Sequence, residues 1–180
     1  MGSIYHGSQK VKKIFYGTQP VKRIYHGTHL VWTSSETVSG ISSAAYNITA
    51  LTLPTVNNST LSRLVDGNNE LQCTWNPDNQ YIDFNFTDCY VEPLSLTIWS
   101  GKDNNARNGV YINSVVGITP SGGTVTLWSN KSISTNNSIV LTRTATDREF
   151  KTVRFYISKN GSVNLTLGEI YFNTFVKYPI

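Results

Sequence analysis

The sequence predicts an all-β protein in two unequal parts: a short N-terminal β-meander of three repeats over residues 1–32 and, after a linker at 33–43, a jelly-roll β-sandwich over 44–180. Three observations predict it. One phrase is written three times at a ten-residue period, as Ile4-Tyr5-His6-Gly7-Ser8, Ile14-Phe15-Tyr16-Gly17-Thr18 and Ile24-Tyr25-His26-Gly27-Thr28, with Val11, Val21 and Val31 keeping the same spacing. After that, short runs of β-branched and aromatic residues alternate with polar ones, each bounded by Asn, Gly, Pro or Ser, which is the pattern of sandwich strands. No segment shows the apolar stripe of an amphipathic helix.

The repeat comes first. Ten residues is too short for helical or propeller repeats, whose units run roughly 20–50 residues. It suits one strand plus one turn: Gly allows positive φ, and the Ser or Thr after it bonds locally to the backbone. Strands are expected near 11–16, 21–26 and 30–32, with Pro20 in the second turn, where its missing N–H costs nothing. A ribbon this small has little apolar face to bury and is marginal alone. It is therefore expected to pack against another subunit rather than its own sandwich. Residues 1–32 hold Lys10, Lys12, Lys13, Lys22 and Arg23 and no acid, a net +5, so the rest of the chain, with ten Lys and Arg against eleven acids, is at −1. The aromatics are locked to the strand repeat, so the basic ribbon is read as edge-strand lysines that prevent sticking or meet an acidic protein partner, and not as a nucleic-acid surface. The stretch "TSSETVSGISSAAYN" is small and polar and reads as the linker.

The body is a succession of strands: "YNITALTL", "YIDFNF", "LSLTIWS", "GVYINSVVGI", "GTVTLWS", "SIVLTRTA", "TVRFYIS" and "LTLGEIYF". In "YIDFNF" Ile82, Phe84 and Phe86 point one way and Tyr81, Asp83 and Asn85 the other; Val153, Phe155 and Ile157 alternate likewise. Cys73 and Cys89 make no disulfide framework and read as reduced thiols. No apolar run is long enough for a membrane helix, and the N-terminus lacks the apolar stretch of a signal peptide, so no membrane partner is expected.

Catalysis finds little support. His6, His26 and His29 all lie in the repeat or its end, so the body has no base for Ser/His/Asp chemistry. Asp66, Asp83, Asp103 and Glu169 supply acids for glycoside cleavage, but Asp83 alternates out of a strand and Asp103 sits in a polar loop, where solvated carboxylates are usual. Saccharide binding is better served. Trp99 in "IWSGKDNNARNG" offers a ring for a sugar face, and Asp103, Asn104, Asn105 and Arg107 offer donors and acceptors for hydroxyls, with Trp75 as a further candidate. For any one Trp the commoner role is core.

Three pieces of the body, "LVDGNNELQCTW" (64–75), "YIDFNF" (81–86) and "FKTVRFYISKNGSVNLTLGEIYF" (150–172), together resemble the discoidin, or coagulation factor 5/8 type C, family over roughly residues 44–172. The resemblance implies a galactose-binding-like jelly roll, a fold that also houses carbohydrate-binding modules. The chain departs from the family at the first motif, where Trp75 lies nine residues past Asp66 and Thr74 directly precedes it, so the loop is longer than usual. The resemblance also implies a structural Ca²⁺, with carboxylates from Asp66 and Glu169 and loop carbonyls around Asn68 and Thr74; no other cofactor is required. Against it stands the reading in which Asp66 caps a turn with Gly67 and Glu169 pairs with Arg63 or Arg154.

The triplication resembles repeats of tailed-bacteriophage virion proteins. That resemblance implies a non-enzymatic virion structural protein assembled in the host cytoplasm. Its ribbon would anchor to other virion proteins through Tyr5, Phe15, Tyr25, Val11, Val21, Val31, Lys12, Lys13, Lys22 and Arg23, while its sandwich would face a host-surface saccharide; a homo-oligomer, with a trimer favoured, is expected. A cell-surface carbohydrate-binding or adhesion module is the alternative, and a glycan-cleaving enzyme the second.

Overall fold

The computed structural model describes residues 4–11, 13–40, 46–53, 60–102, 109–161 and 164–180. Among them there is no α-helix, only a 3₁₀ turn at Leu61–Leu64, and no helix long and apolar enough to cross a membrane.

The ribbon is not a three-stranded meander. Each repeat folds on itself: β1 (Tyr5–His6) pairs with β2 (Gln9–Lys10), β3 (Ile14–Tyr16) with β4 (Gln19–Val21), and β5 (Arg23–His26) with β6 (His29–Thr33), giving three separate antiparallel hairpins. The cause is the position of the glycine. Gly7, Gly17 and Gly27, at φ 63°, 62° and 62°, take the first central place of a two-residue turn, the conformation a type II′ hairpin needs, so each turn falls inside a repeat and not between repeats. Pro20 lies in β4 opposite Phe15. Tyr16 and Gln19 close the turn, so Phe15 and Pro20 form the next, non-hydrogen-bonded pair, where a missing N–H costs no ladder bond.

The hairpins are tied at their bases. Ile4, Val11, Ile14, Val21, Ile24 and Val31 are half-buried, the Val11 N–H donates to the Ile4 carbonyl at 2.7 Å, and Trp32, 2% exposed, donates its indole N–H to the Val11 carbonyl at 3.1 Å. The last repeat thus reaches back to the first around one buried ring.

Two sheets form the sandwich. One has the order β13 (Thr124–Ile133), β12 (Val110–Ile118), β15 (Thr152–Lys159), β10 (Gln80–Phe86), β8 (Tyr46–Ala50). The other runs β14 (Ser138–Thr142), β11 (Cys89–Ser100), β16 (Leu165–Pro179), β7 (Glu36–Ser39), with β9 (Cys73–Trp75) also paired to β16. The inward residues of both meet in one core, where Phe84 touches Tyr46, Phe155 and Phe172 at ring centroids 5.2–5.4 Å apart. Pro93 is tolerated in β11 because it lies beside a register shift and outside the stretch paired with β14, which begins at Ser95.

Two expectations about organisation need correction. The expected linker contains β7, whose Glu36–Ser39 pair with Thr174–Lys177 of β16 while Val38 packs on the core, so part of 33–43 belongs to the sandwich. The ribbon also docks on its own sandwich. Arg23 Nη2 donates to Glu149 Oε2 at 3.0 Å and to the Pro179 carbonyl at 2.9 Å, with its guanidinium 5.8 Å from the Tyr90 ring centroid. Glu149 is nearly buried, and a carboxylate withdrawn from water needs such a cation. Arg23 is therefore an internal tie and not part of a free outward anchor; Lys13 and Lys22 remain exposed, and Lys12 lies outside the described residues.

Candidate functional site

The strand registers bring the β11–β12, β13–β14 and β15–β16 connections to one end of the sandwich, together with 51–53 and 76–79. Trp99 sits near that end. Ile98 beside it is in the core, so Trp99 points outward, half-buried, opposite Glu169 of β16 and Ser138 of β14. Asp103, Asn104, Asn105 and Arg107 lie outside the described residues. The entry to their loop is held firmly. The Lys102 N–H donates to Gln72 Oε1 at 2.8 Å, Lys102 Nζ pairs with Glu70, and the Gly101 N–H donates to the Thr166 carbonyl at 3.1 Å. Gly101 has no room for a Cβ, which would strike the Thr166 side chain and Gln72 Oε1. Ser100 Oγ donates to the Ser134 carbonyl at 2.6 Å and so ties β11 to the neighbouring loop. Sequence reasoning missed Glu70, Gln72 and Thr166, since nothing local marks residues that meet across 30 or more positions.

Trp75 is not available to a ligand. It is 0% exposed, opposite Leu165, and its indole N–H donates to the Thr52 carbonyl at 2.8 Å. Its place is the core.

Asp66 and Glu169 do converge, on a cavity of about 310 Å³ that Tyr46, Gly67 and Tyr171 also line. Asp66 Oδ1 accepts the Asn68 N–H at 2.8 Å, so the turn-capping expectation for Asp66 is met. Glu169 pairs with neither arginine: Arg63 Nη1 is on the Gln72 carbonyl and Arg154 on Asp83. Its carboxylate is fully buried, and neither oxygen makes a hydrogen bond. Burial first, and the neighbouring Asp66 after it, push the Glu169 pKa up to about 7 against a weaker opposing pull from the Gly67 and Asn68 backbone N–H groups. Those N–H groups lie close but short of full hydrogen bonds.

An orphaned buried carboxylate facing a second carboxylate suits a hard cation with oxygen ligands. Asp66 and Glu169 fit that part. The Asn68 carbonyl already accepts the Leu71 N–H at 3.2 Å, and Thr74 lies in β9 opposite Thr166, outside the cavity lining. Among the described residues no group of three or more His, Cys, Asp or Glu gathers, so carbonyls and water would have to complete the shell.

Solved structures share this sandwich. A module from Clostridium perfringens in complex with GalNAc-β-1,3-galactose superposes with a TM-score of 0.60 at 13% identity, over 74% of this chain and 98% of that one. The fold is that of the family 32 carbohydrate-binding modules. A second family 32 module, from C. perfringens NanJ with galactose, gives a TM-score of 0.57 at 15% identity, over 76% of this chain and 98% of that one. The family 32 module of AlyQ with 4,5-unsaturated mannuronic acid gives 0.54 at 16%, over 69% and 92%. At such identities the likeness is one of fold. No protein-family model and no curated protein matches the sequence.

Proposed function

We propose that this is a non-catalytic carbohydrate-binding protein whose sandwich takes a saccharide at the loop end beside Trp99, and whose ribbon mounts it on a larger particle, a tailed-bacteriophage virion. The observation that carries the binding part is Trp99: a large ring left half-exposed on an interior strand, next to a loop whose entry is pinned by Gln72, Glu70 and Thr166. A rigid base lowers the ordering cost of binding. The neighbours of this fold that hold galactose and a GalNAc-galactose disaccharide support a galactoside as the first ligand to test. Glu169 has no exposed atoms to offer a glycosidic oxygen, which supports binding over cleavage.

A Ca²⁺ ion held by Asp66 and Glu169 would relieve the buried carboxylate and fix the 66–72 loop that reaches Lys102. The chemistry it supplies is structural. The ribbon, with Phe15 and Tyr25 half or more exposed and Lys13 and Lys22 exposed beside them, supports attachment to other virion proteins, in a trimer.

The test is Trp99→Ala, checked for an intact fold by circular dichroism and assayed for galactoside binding on a multivalent surface, where weak single sites become measurable. Lost binding is expected; unchanged binding removes the site. A cell-surface adhesion module uses the same sandwich, and immunogold labelling of virions against host cell envelopes separates the two.

A further inference from the structure

The opposite side of the molecule carries a second built arrangement. On the five-stranded sheet Ile82, Phe84, Val153, Phe155 and Ile157 fill the core, so Tyr81, Asp83, Arg154 and Tyr156 face outward from two interior strands. The register sets Tyr81 against Tyr156 and Asp83 against Arg154. Arg154 donates from Nε to Asp83 Oδ1 at 2.6 Å and from Nη2 to Oδ2 at 2.7 Å, a two-pronged pair, and from Nη1 to the Tyr156 hydroxyl at 3.3 Å. Its guanidinium carbon lies 4.1 Å from the Tyr81 ring centroid. The two tyrosine rings stand edge to face at 6.2 Å and 66°.

An outward cross-strand charge pair ordinarily does no more than add a little stability to its sheet. This one is different in what it leaves unspent. Arginine has five N–H groups and three are used here, so two remain for a ligand, beside the carboxylate edge of Asp83, which is itself only 7% exposed. Donors and acceptors thus stand side by side, held still by two rings, and Tyr156 is 37% exposed next to them. A sugar hydroxyl both donates and accepts, and a pyranose ring stacks on an aromatic face.

Charge selects the class of ligand. Arg154 and Asp83 cancel, and the residues around them, Thr49, Asn85, Ser158 and Asn113, are neutral hydroxyls and amides already ordered by bonds to one another or to the sheet. Such a face complements an uncharged polyol and offers nothing to a polyanion. We propose that it is a second saccharide platform, separate from Trp99, that holds an extended neutral glycan chain across strands β10 and β15, with Tyr156 under one sugar and the Arg154–Asp83 pair meeting adjacent hydroxyls. The sheet suits a chain because sugar units repeat at a distance comparable to the strand spacing of about 4.8 Å.

The experiment is native electrophoresis of the full chain in gels cast with a soluble neutral β-glucan, a galactomannan, polygalacturonate or duplex DNA. Retardation by a neutral polysaccharide is expected, surviving Trp99→Ala, weakened about tenfold in apparent Kd by Tyr156→Ala and kept by Tyr156→Phe. Tyr156 is exposed, so thermal unfolding of these variants should match the parent. Retardation by no neutral polysaccharide, retardation only by the polyanions, or indifference to Tyr156→Ala would overturn the proposal. Loss through Trp99→Ala alone would do so too, while leaving the loop site standing.

Discussion

The ribbon and the sandwich are built from the same residue types and treat them in opposite ways. In the ribbon Phe15, Tyr16 and Tyr25 are 59%, 86% and 52% exposed; in the sandwich Phe84, Phe150 and Phe155 are at 0%. The difference is one of layers. Each ribbon hairpin has two strands and pairs residues only a few positions apart, so one face is left without a cover. The sandwich pairs strands from across the chain, such as β7 with β16, into two sheets that cover each other. A hydrophobic residue stabilises a fold only where a second layer removes it from water.

The largest test of that contrast is a pair of aromatic truncations. Phe84→Ala should destabilise the sandwich by about 4 kcal/mol, because three aromatic neighbours cannot close over the void. Tyr16→Ala should change global stability by under about 0.5 kcal/mol. Urea denaturation followed by tryptophan fluorescence reads both, and similar losses would break the distinction.

Slightly smaller is the effect of Glu92, fully buried in β11. Its carboxylate accepts from Arg143 Nη1 at 2.9 Å, the Thr146 N–H and Oγ1 at 2.7 Å, the Arg148 N–H at 3.2 Å and the Tyr178 hydroxyl at 3.0 Å. It ties the 143–148 segment to the sandwich. Glu92→Gln cannot accept all of these and should cost about 3 kcal/mol, the lower range for breaking a buried charged network. Faster hydrogen exchange at Thr146 and Arg148 locates the loss; unchanged exchange there would mean that the segment is held by something else.

Much of this division was legible in the sequence. Alternation in "YIDFNF" and "TVRFYIS" gave strands whose inward and outward residues stand as expected, because period-two patterning needs only local information. The strand β7 was hidden, since "ETVS" is polar and acquires its partner from the far end of the chain. The repeat was ambiguous because a ten-residue period fits a strand and turn as well as a complete hairpin; the glycine's place within the repeat decided it. Of the candidate site residues, Asp66 and Glu169 line one cavity, while Trp75 lies in the core. Composition cannot tell a ligand-facing Trp from a packed one. The Arg154–Asp83 pair depends on register, which no single strand announces.

Next in size is a pH effect confined to the sandwich. Glu169 holds its proton in the folded state up to about pH 7, above the ordinary carboxylate value retained by the unfolded chain. Below the unfolded pKa both states are protonated and the stability is fully present. As pH rises from about 4.5 to about 7 the unfolded chain ionises first, so folding is weakened by up to about 3 kcal/mol. With a chelator present, the melting temperature should therefore fall across this window, and Glu169→Gln should flatten the fall. Added Ca²⁺ should recover stability mainly at the upper end, where the carboxylate must be ionised to bind. A flat profile in chelator would mean that Glu169 is not desolvated.

The smallest effect concerns the tie between the two regions. Arg23 is the ribbon side chain that reaches Glu149 and the Pro179 carbonyl, so Arg23→Ala removes two bonds and leaves a nearly buried carboxylate without its cation. Burial already pushes the Glu149 pKa up while Arg23 pulls it down, so the variant's Glu149 should take up a proton more readily and limit the damage. The expected global cost is therefore only about 1 kcal/mol. The local consequence is larger. The third hairpin then keeps its turn and its Trp32 contact to Val11 but loses its polar hold on the sandwich, and cleavage by a nonspecific protease near residues 33–36 should become faster with the body left intact. Glu149→Gln, which keeps a hydrogen-bond acceptor without the charge, should fall between parent and Arg23→Ala. Equal cleavage rates in all three proteins would show that Trp32 and the β7–β16 pairing, not Arg23, hold the ribbon in place.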